Sequence, residues 1–456
     1  AANTTGVMNV AIGTDALKQA VNTYDTVAIG FNAIRSMQTT AVGHSNVAVG
    51  SMAMYQNTAG RYNVAIGKAA MRSVNSGDNN IFMGFKSGYG NASTGGCNVG
   101  IGHNALKCYT SAFNNVAIGT YGLAAVTTGY GNTAVGNRSA CKVTTGKWNV
   151  SLGGYSHCNL TTGSSNTALG YQAGHGMSTQ SNSISIGYLA GYLASGACNI
   201  GIGVRAVYNG SGVKNIGIGE CALRDVPTNN NVAIGWKAYK SITGTAAYGV
   251  AIGNNSLESN TTGTRNTAVG FNSLNANTGG YNNTALGSCA MRNGLVGYSN
   301  VALGHSAGYN LGTTADGRNS IAIGEAAMCN LGSQPQHAIA LGMNSQQLAG
   351  GNYNISIGSY GLRSATGAYN VAVGNSSQRS NTTGNCNVAV GQQALQMNTT
   401  GEQNTAIGHK ALEYATPVKF STAVGYCAAA FNCGWWNVTV GYLAGQGGTA
   451  LACGYG

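Results

Sequence analysis

The chain is short of charge, of proline and of long apolar runs. Only 7% of its 456 residues are Asp, Glu, Lys or Arg, against about 25% in ordinary soluble domains, which excludes a charged disordered tail or a long coiled coil. Three prolines beside 72 glycines exclude collagen. No run approaches about 18 apolar residues, so no helix is expected to span a membrane. The opening Ala1-Ala2-Asn3-Thr4 lacks the basic start and apolar core of a signal peptide; the chain reads as processed, or as a segment of something longer. Acidic residues number ten, and no two share a repeat position on successive turns, so the paired carboxylates of a glycosidase are not expected. Glu220 with Asp225, and Asp316 with Glu325, are the nearest pairs in sequence and read as exposed. G-x-S-x-G, H-E-x-x-H and a Gly-rich loop leading into a helix are all missing. The chain therefore reads as a protein that is not an enzyme and needs no cofactor.

What is present is a repeat. Asn-Val-Ala-Ile-Gly recurs at Asn9–Gly13, Asn63–Gly67, Asn115–Gly119 and Asn231–Gly235, with variants at Asn132–Gly136, Asn166–Gly170, Asn266–Gly270, Asn387–Gly391 and Asn404–Gly408. Successive phrases close at Gly102, Gly119, Gly136, Gly153, Gly170 and Gly187, a spacing of about 17 residues. The internal consensus is N-[VIT]-A-[IVL]-G-x-x-A-[LM]-x-x-N-T-T-G-x-x. Alternation of branched, small and branched residues is strand chemistry with two faces, and Thr-Thr-Gly, as at Thr127–Gly129, Thr144–Gly146 and Thr161–Gly163, supplies the turn. All three prolines, Pro227, Pro335 and Pro417, fall in the turn region, as a hydrogen-bonded ladder requires.

A unit of this length cannot bury a core alone and must stack on the next. The expected fold is all-β: a parallel β-solenoid or β-roll of about 27 rungs, one continuous array over residues 1–456 with irregular rungs near 31–50 and 305–342. At about 4.8 Å per rung it would reach on the order of 130 Å. The longer spacings ending at Gly324 and Gly342 predict protruding loops. Recurrent asparagines four residues before the glycine read as a structural amide ladder. If Val and Ile fill the coil's interior, the small residue between them (Ala65; Gly100, Gly201 and Ser151 elsewhere; Phe82 the exception) faces outward and suits several chains around one axis. The competing reading is a single-chain solenoid whose Ala face packs on its own Ala-Leu segment.

These phrases resemble a known family. Asn319–Gly324, Asn182–Gly187 and the compressed Thr39–Gly50 stretch are similar to the head repeats of trimeric autotransporter adhesins, while Asn398–Gly401 and Gly170–Ala173 resemble repeats of bacteriophage tail fibres. The resemblance covers essentially the whole chain. It implies a homotrimeric parallel β-roll that attaches to a cell surface, extracellular, on a virion tail fibre or a bacterial surface. The repeat is longer than the autotransporter one and no stalk, neck or membrane anchor accompanies it, which favours a fibre segment without membrane insertion.

Candidate binding residues fall in columns. Net charge is +12, and the fifth position after the glycine holds Lys18, Arg35, Arg72, Lys107, Arg224, Lys240, Arg292, Arg363 and Arg379. Stacked, they form a discontinuous basic stripe with like charges close together, either a solvated corner or a seat for an anionic polysaccharide or lipid headgroup. No dense basic cluster or recognition motif points to nucleic acid. Aromatic residues flank the strand phrase on both sides, among them Trp148, Tyr171, Tyr188, Trp236 and the pair Trp435-Trp436. They offer flat faces to a sugar or serve as stacked packing. The twelve cysteines contain no C-x-x-C pair and read mostly as small fillers, although Cys141 and Cys158, 17 apart, should stack, which makes a disulfide geometrically possible. Seven histidines do not converge with them, so no metal is expected. The reading is a fibre or adhesin shaft or head that binds a surface glycan. A single-chain solenoid such as an ice-binding or matrix protein, and less so a polysaccharide-degrading spike, are the alternatives.

Overall fold

The structure, a computed structural model, describes residues 6–19, 23–36, 43–90, 93–240, 244–331, 333–432 and 434–446. It contains two compact units, Ala1–Val226 and Pro227–Gly456. Each is a parallel β-solenoid whose described residues include thirteen three-residue strands in the main ladder, running from Val10–Ile12 to Ile216–Ile218 in the first unit and from Val232–Ile234 to Val438–Val440 in the second. Among the described residues there is no helix, hence none long and apolar enough to cross a membrane. Successive strands pair in register, Thr133 on Val150, Ala134 on Ser151 and Val135 on Leu152. Rungs of unequal length keep that register: Val301–Leu303 pairs with Ile321–Ile323, and that strand with Ile339–Leu341. The extra residues of the long rung emerge at Thr314–Asp316, which are exposed. Gln334 anchors the base of this loop, its Oε1 accepting the Gly312 N–H at 2.7 Å and its Nε2 donating to the Asn310 carbonyl at 3.1 Å. Part of the irregular 31–50 rung, residues 37–42, lies outside the described residues.

The rung from Asn132 to Trp148 shows how 17 residues close a coil. The strand Thr133–Val135 ends at Gly136, whose φ of +132° belongs to glycine. Three further residues, Arg138, Ala140 and Trp148, are left-handed at φ +52°, +48° and +54°. Each costs about 1 kcal/mol or more, and the same three positions are left-handed in rung after rung. Inter-rung pairing offsets this: the Arg138 N–H bonds back to the Thr120 carbonyl at 2.8 Å, while the Ala140 N–H bonds forward to Ser156 at 2.8 Å. In the turn, Thr127 and Thr144 donate backbone N–H to Thr144 and Thr161 carbonyls at 2.9 Å, and their hydroxyls add bonds to the same oxygens at 3.3 Å. Pairing therefore continues well beyond the strands.

The interior holds the strand-centre alanines. Ala65, Ala117, Ala134 and Ala168 are fully buried, the first three in one cluster with side chains from the segment that follows the repeat glycine, such as Met71, Leu106 and Leu123. Val and Ile point outward and stay half-exposed in every rung except the outermost ones, where even the centre is uncovered. This corrects the assignment of the Val/Ile face to the coil's interior and matches the alternative placing of the Ala face. The reason is room: a closed 17-residue coil leaves space for small strand residues only. Phe82 tests that limit. It is fully buried at an alanine position, and glycines stand where its ring lies: a Cβ on Gly100 would come within 2.6 Å of it and one on Gly88 within 2.5 Å.

His157 is the polar counterpart of that substitution. It occupies an interior Leu position, fully buried, with Nδ1 2.8 Å from the Ser151 hydroxyl and the facing residue of the next rung reduced to Gly174. Burial alone pushes its pKa down to about 3. The unfolded chain takes up this proton near pH 6.5 whereas the folded chain refuses it until about pH 3, so stability is intact above pH 6.5 and falls as pH drops. Between pH 7 and pH 4 the neighbouring rungs are expected to lose about 3 kcal/mol. Melting curves at the two pH values check this, and His157→Met should flatten the difference.

Candidate functional site

With alanine inside, chemistry is displayed on outward columns. The richest is the fifth position after the repeat glycine, where cations alternate with rings. Arg35 donates from Nη1 to the Tyr55 hydroxyl at 2.7 Å and lies 5.7 Å from that ring. Arg72 stacks between Tyr55 and Tyr89, 5.5 Å from each ring centre, and donates to the Tyr89 hydroxyl. This is a cation–π ladder, in which Tyr55 separates Arg35 from Arg72; Lys18 with Arg35, and Arg363 with Arg379, still hold the position on successive rungs. Lys18 pairs with Asp15 at 3.1 Å and Arg224 with Asp225 at 3.1 Å. Lys240 is half-buried in the same column. In the second unit, Arg363 donates from Nε to Gln347 at 3.1 Å, and Arg363 and Arg379 both lean on the Tyr360 ring at 5.9 and 5.6 Å. Tyr55 and Tyr89, which interleave Arg35 and Arg72, were the signal sequence reading missed: they occupy the same repeat position, and only its charges stood out; Tyr360 stands two residues after its glycine, in a neighbouring column.

The aromatic flanks stack along the ladder rather than presenting open faces. Tyr171 and Tyr188 lie 6.0 Å apart at 11°, Tyr353 and Tyr369 5.0 Å apart at 2°, and Tyr281 and Tyr298 4.8 Å apart at 3°. In each pair, one face of either ring is occupied by its neighbour. Trp148 differs: it meets Tyr130 edge-on at 88°, is 57% exposed, and lies over Gly131, where a Cβ would come within 2.8 Å of the indole. Trp236 carries the Lys237 ammonium 4.1 Å from its ring. Trp436 stacks on Phe420 at 4.3 Å, and Trp435 lies below Lys419 at 5.8 Å, so the adjacent tryptophans belong to different columns. The candidate residues thus form separate clusters and not one pocket.

One carboxylate of each sequence pair has a local partner. Asp225 pairs with Arg224, and Asp316 accepts from Gln336 Nε2 at 3.4 Å. Among the described residues no three His, Cys, Asp or Glu side chains gather as a metal site would need.

Cys141 and Cys158 do meet. Their sulfurs are 3.1 Å apart on adjacent rungs, both as free thiols, and the Cys141 thiol also lies 3.4 Å from the Cys158 carbonyl oxygen.

Fold and surface together define a repeat protein of the parallel β-solenoid class. No protein-family model matches the chain, and no curated protein matches it either.

Proposed function

We propose that this chain is a structural segment of a homotrimeric extracellular fibre or adhesin, of the tail-fibre or bacterial surface type, that attaches to an anionic cell-surface glycan and performs no catalysis. The observation that carries the reading is the outward Val/Ile face. Side chains such as Ile118, Leu169, Leu286 and Leu303 are 38–45% exposed in unbroken columns with no charged residue among them. Taking a few tens of Å2 per side chain, each unit offers on the order of 1,000 Å2 of apolar surface, comparable to the ~800 Å2 each partner gives a standard interface. Monomers rarely leave such a patch in water. Copies of one chain share the rung spacing of about 4.8 Å, so their columns register with each other along a common axis. The resemblance to trimeric adhesin heads and tail-fibre repeats supplies the number three. The glycan part rests on the cation–π ladder at Arg35, Tyr55, Arg72 and Tyr89 and on the +12 net charge.

The test is native mass by light scattering, followed by retention on an immobilised anionic polysaccharide. A mass near three times 46.0 kDa, falling in Leu169→Arg with β-structure retained, is the expected result. A wild-type mass of 46.0 kDa returns the single-chain solenoid. Salt-sensitive retention that weakens in Arg72→Gln supports the glycan; unchanged retention removes this ladder from the binding surface.

A further inference from the structure

The Cys141 and Cys158 thiols belong to a built cleft of about 440 Å3. It exists because the column position before Cys141 is Ala124, one side chain short, while Tyr121 and Tyr155 stand as walls in a parallel column. Arg138 lies between those two rings, 5.8 Å from each. Lys142 closes the opposite side, its ammonium held by Asn159 at 2.7 Å. No carboxylate lines the cleft, so two permanent cations face two thiols.

We propose that this cleft is a reactive dithiol site that takes anionic low-molecular-weight disulfides, of the glutathione type, and is oxidised by them to a Cys141–Cys158 disulfide. Adjacent rungs of a parallel ladder lie about 4.8 Å apart, within the Cα separation a disulfide spans, so closure needs little backbone movement. The roles of the two sulfurs differ. Cys158 is held below the ordinary thiol range, first by the hydrogen bond from Cys141 and then by Lys142 and Arg138 working against its burial, while Cys141 is raised by donating that bond and by burial. The geometry agrees: the Cys141 S–H faces the Cys158 carbonyl oxygen as well as its sulfur, and Cys158, although the more buried of the two, lines the cleft, so Cys158 is the attacking thiolate. It attacks one sulfur of the small disulfide, the S–S bond breaks, and one thiolate leaves and is protonated. Cys141 then loses its proton and attacks the Cys158 sulfur of the mixed disulfide, expelling the second thiolate, which is protonated in turn. Two protein thiols are oxidised and one small disulfide is reduced to two thiols. Arg138 and Lys142 select the reagent by charge, attracting carboxylates and repelling a cationic disulfide.

The reduced full chain is treated at low ionic strength with oxidised glutathione or with cystamine, quenched by alkylation and mapped by mass spectrometry. The 141–158 cross-link should form about tenfold faster with glutathione, and Arg138→Gln with Lys142→Gln should bring the two rates together. Because both reagents meet the same thiolate, their ratio reads the cleft's charge apart from the thiol's acidity. Cys141→Ser should stop at a mixed disulfide on Cys158. The proposal is overturned if Cys158 reacts with glutathione no faster than the exposed Cys97 or Cys386, or if the ratio survives loss of both cations.

Discussion

Gly153→Ala is expected to open its rung, while Gly154→Ala, one residue on, is expected to leave it intact. Gly153 has φ +130°, and a Cβ there would lie 2.5 Å from the Gly170 carbonyl oxygen and 2.7 Å from its carbon. Both are backbone atoms of the next rung, locked in register by the strands on either side, so neither can retreat without breaking the ladder. The strained φ adds about 1–3 kcal/mol, and the clash comes on top, placing the expected loss at about 4 kcal/mol or more. At Gly154 φ is not left-handed, and an added Cβ would meet the edge of the Tyr171 ring at 3.4 Å, which can rotate away. Hydrogen exchange of the amides between residues 133 and 186 distinguishes the outcomes. Protection should collapse in the first variant and persist in the second; equal protection in both would remove the steric account of the glycine column.

Asn149→Asp should be comparably damaging, although the two side chains have the same shape. The Asn149 amide is wholly buried and fully used. Its Oδ1 accepts the Asn166 N–H at 3.0 Å and the Asn166 amide at 3.1 Å, and its Nδ2 donates to Asn132 Oδ1 at 3.0 Å and to the Gly163 carbonyl at 2.9 Å. A carboxylate turns both donations into contacts between acceptors and buries a charge with no cation beside it, a loss of about 3–5 kcal/mol. The variant's deficit should shrink with acid. Burial and the facing acceptors raise the introduced carboxyl's pKa in the folded state above its unfolded value near 4, so the folded state holds the proton more tightly and the variant recovers stability relative to wild type as pH falls, the His157 loss being common to both chains. The difference in melting between variant and wild type, taken at pH 7 and at pH 4, reads this. Asn149→Ser should be milder, at about 1 kcal/mol, because the chain already tolerates Ser183 in this column, where its hydroxyl accepts the Asn199 N–H at 3.3 Å.

The period, the strand phrase, the amide ladder and the stacking of Cys141 on Cys158 were legible because each is a recurrence at fixed spacing. Which face of the strand turns inward was not. Alternation distinguishes two faces without ranking them, and hydrophobicity alone places Val64 and Ile66 inside. The deciding quantity is the bore of the coil, set by left-handed residues such as Arg138, Ala140 and Trp148, whose side chains give no hint of their backbone. Phe82 and His157 were locally ambiguous for the same reason. Their compensating glycines, Gly88 with Gly100 and Gly174, are visible in the sequence but acquire meaning only once the interior is known to be narrow. The cation–π ladder was half-legible: Arg35 and Arg72 drew attention as charges, while Tyr55 between them and Tyr89 beyond Arg72 were not singled out.

Because pairing continues past the strands into the turns, length in this architecture changes in quanta. A whole rung added or removed preserves the Asn column, the Gly column and the threonine hydroxyl column at once. A single residue added inside Thr133–Gly136 would put all three out of phase with both neighbours, whereas one added at Thr314–Asp316 would only lengthen a loop. The outward positions are freed by the same arithmetic: a surface can be rewritten one rung at a time, in steps of about 4.8 Å, with the scaffold beneath it unchanged.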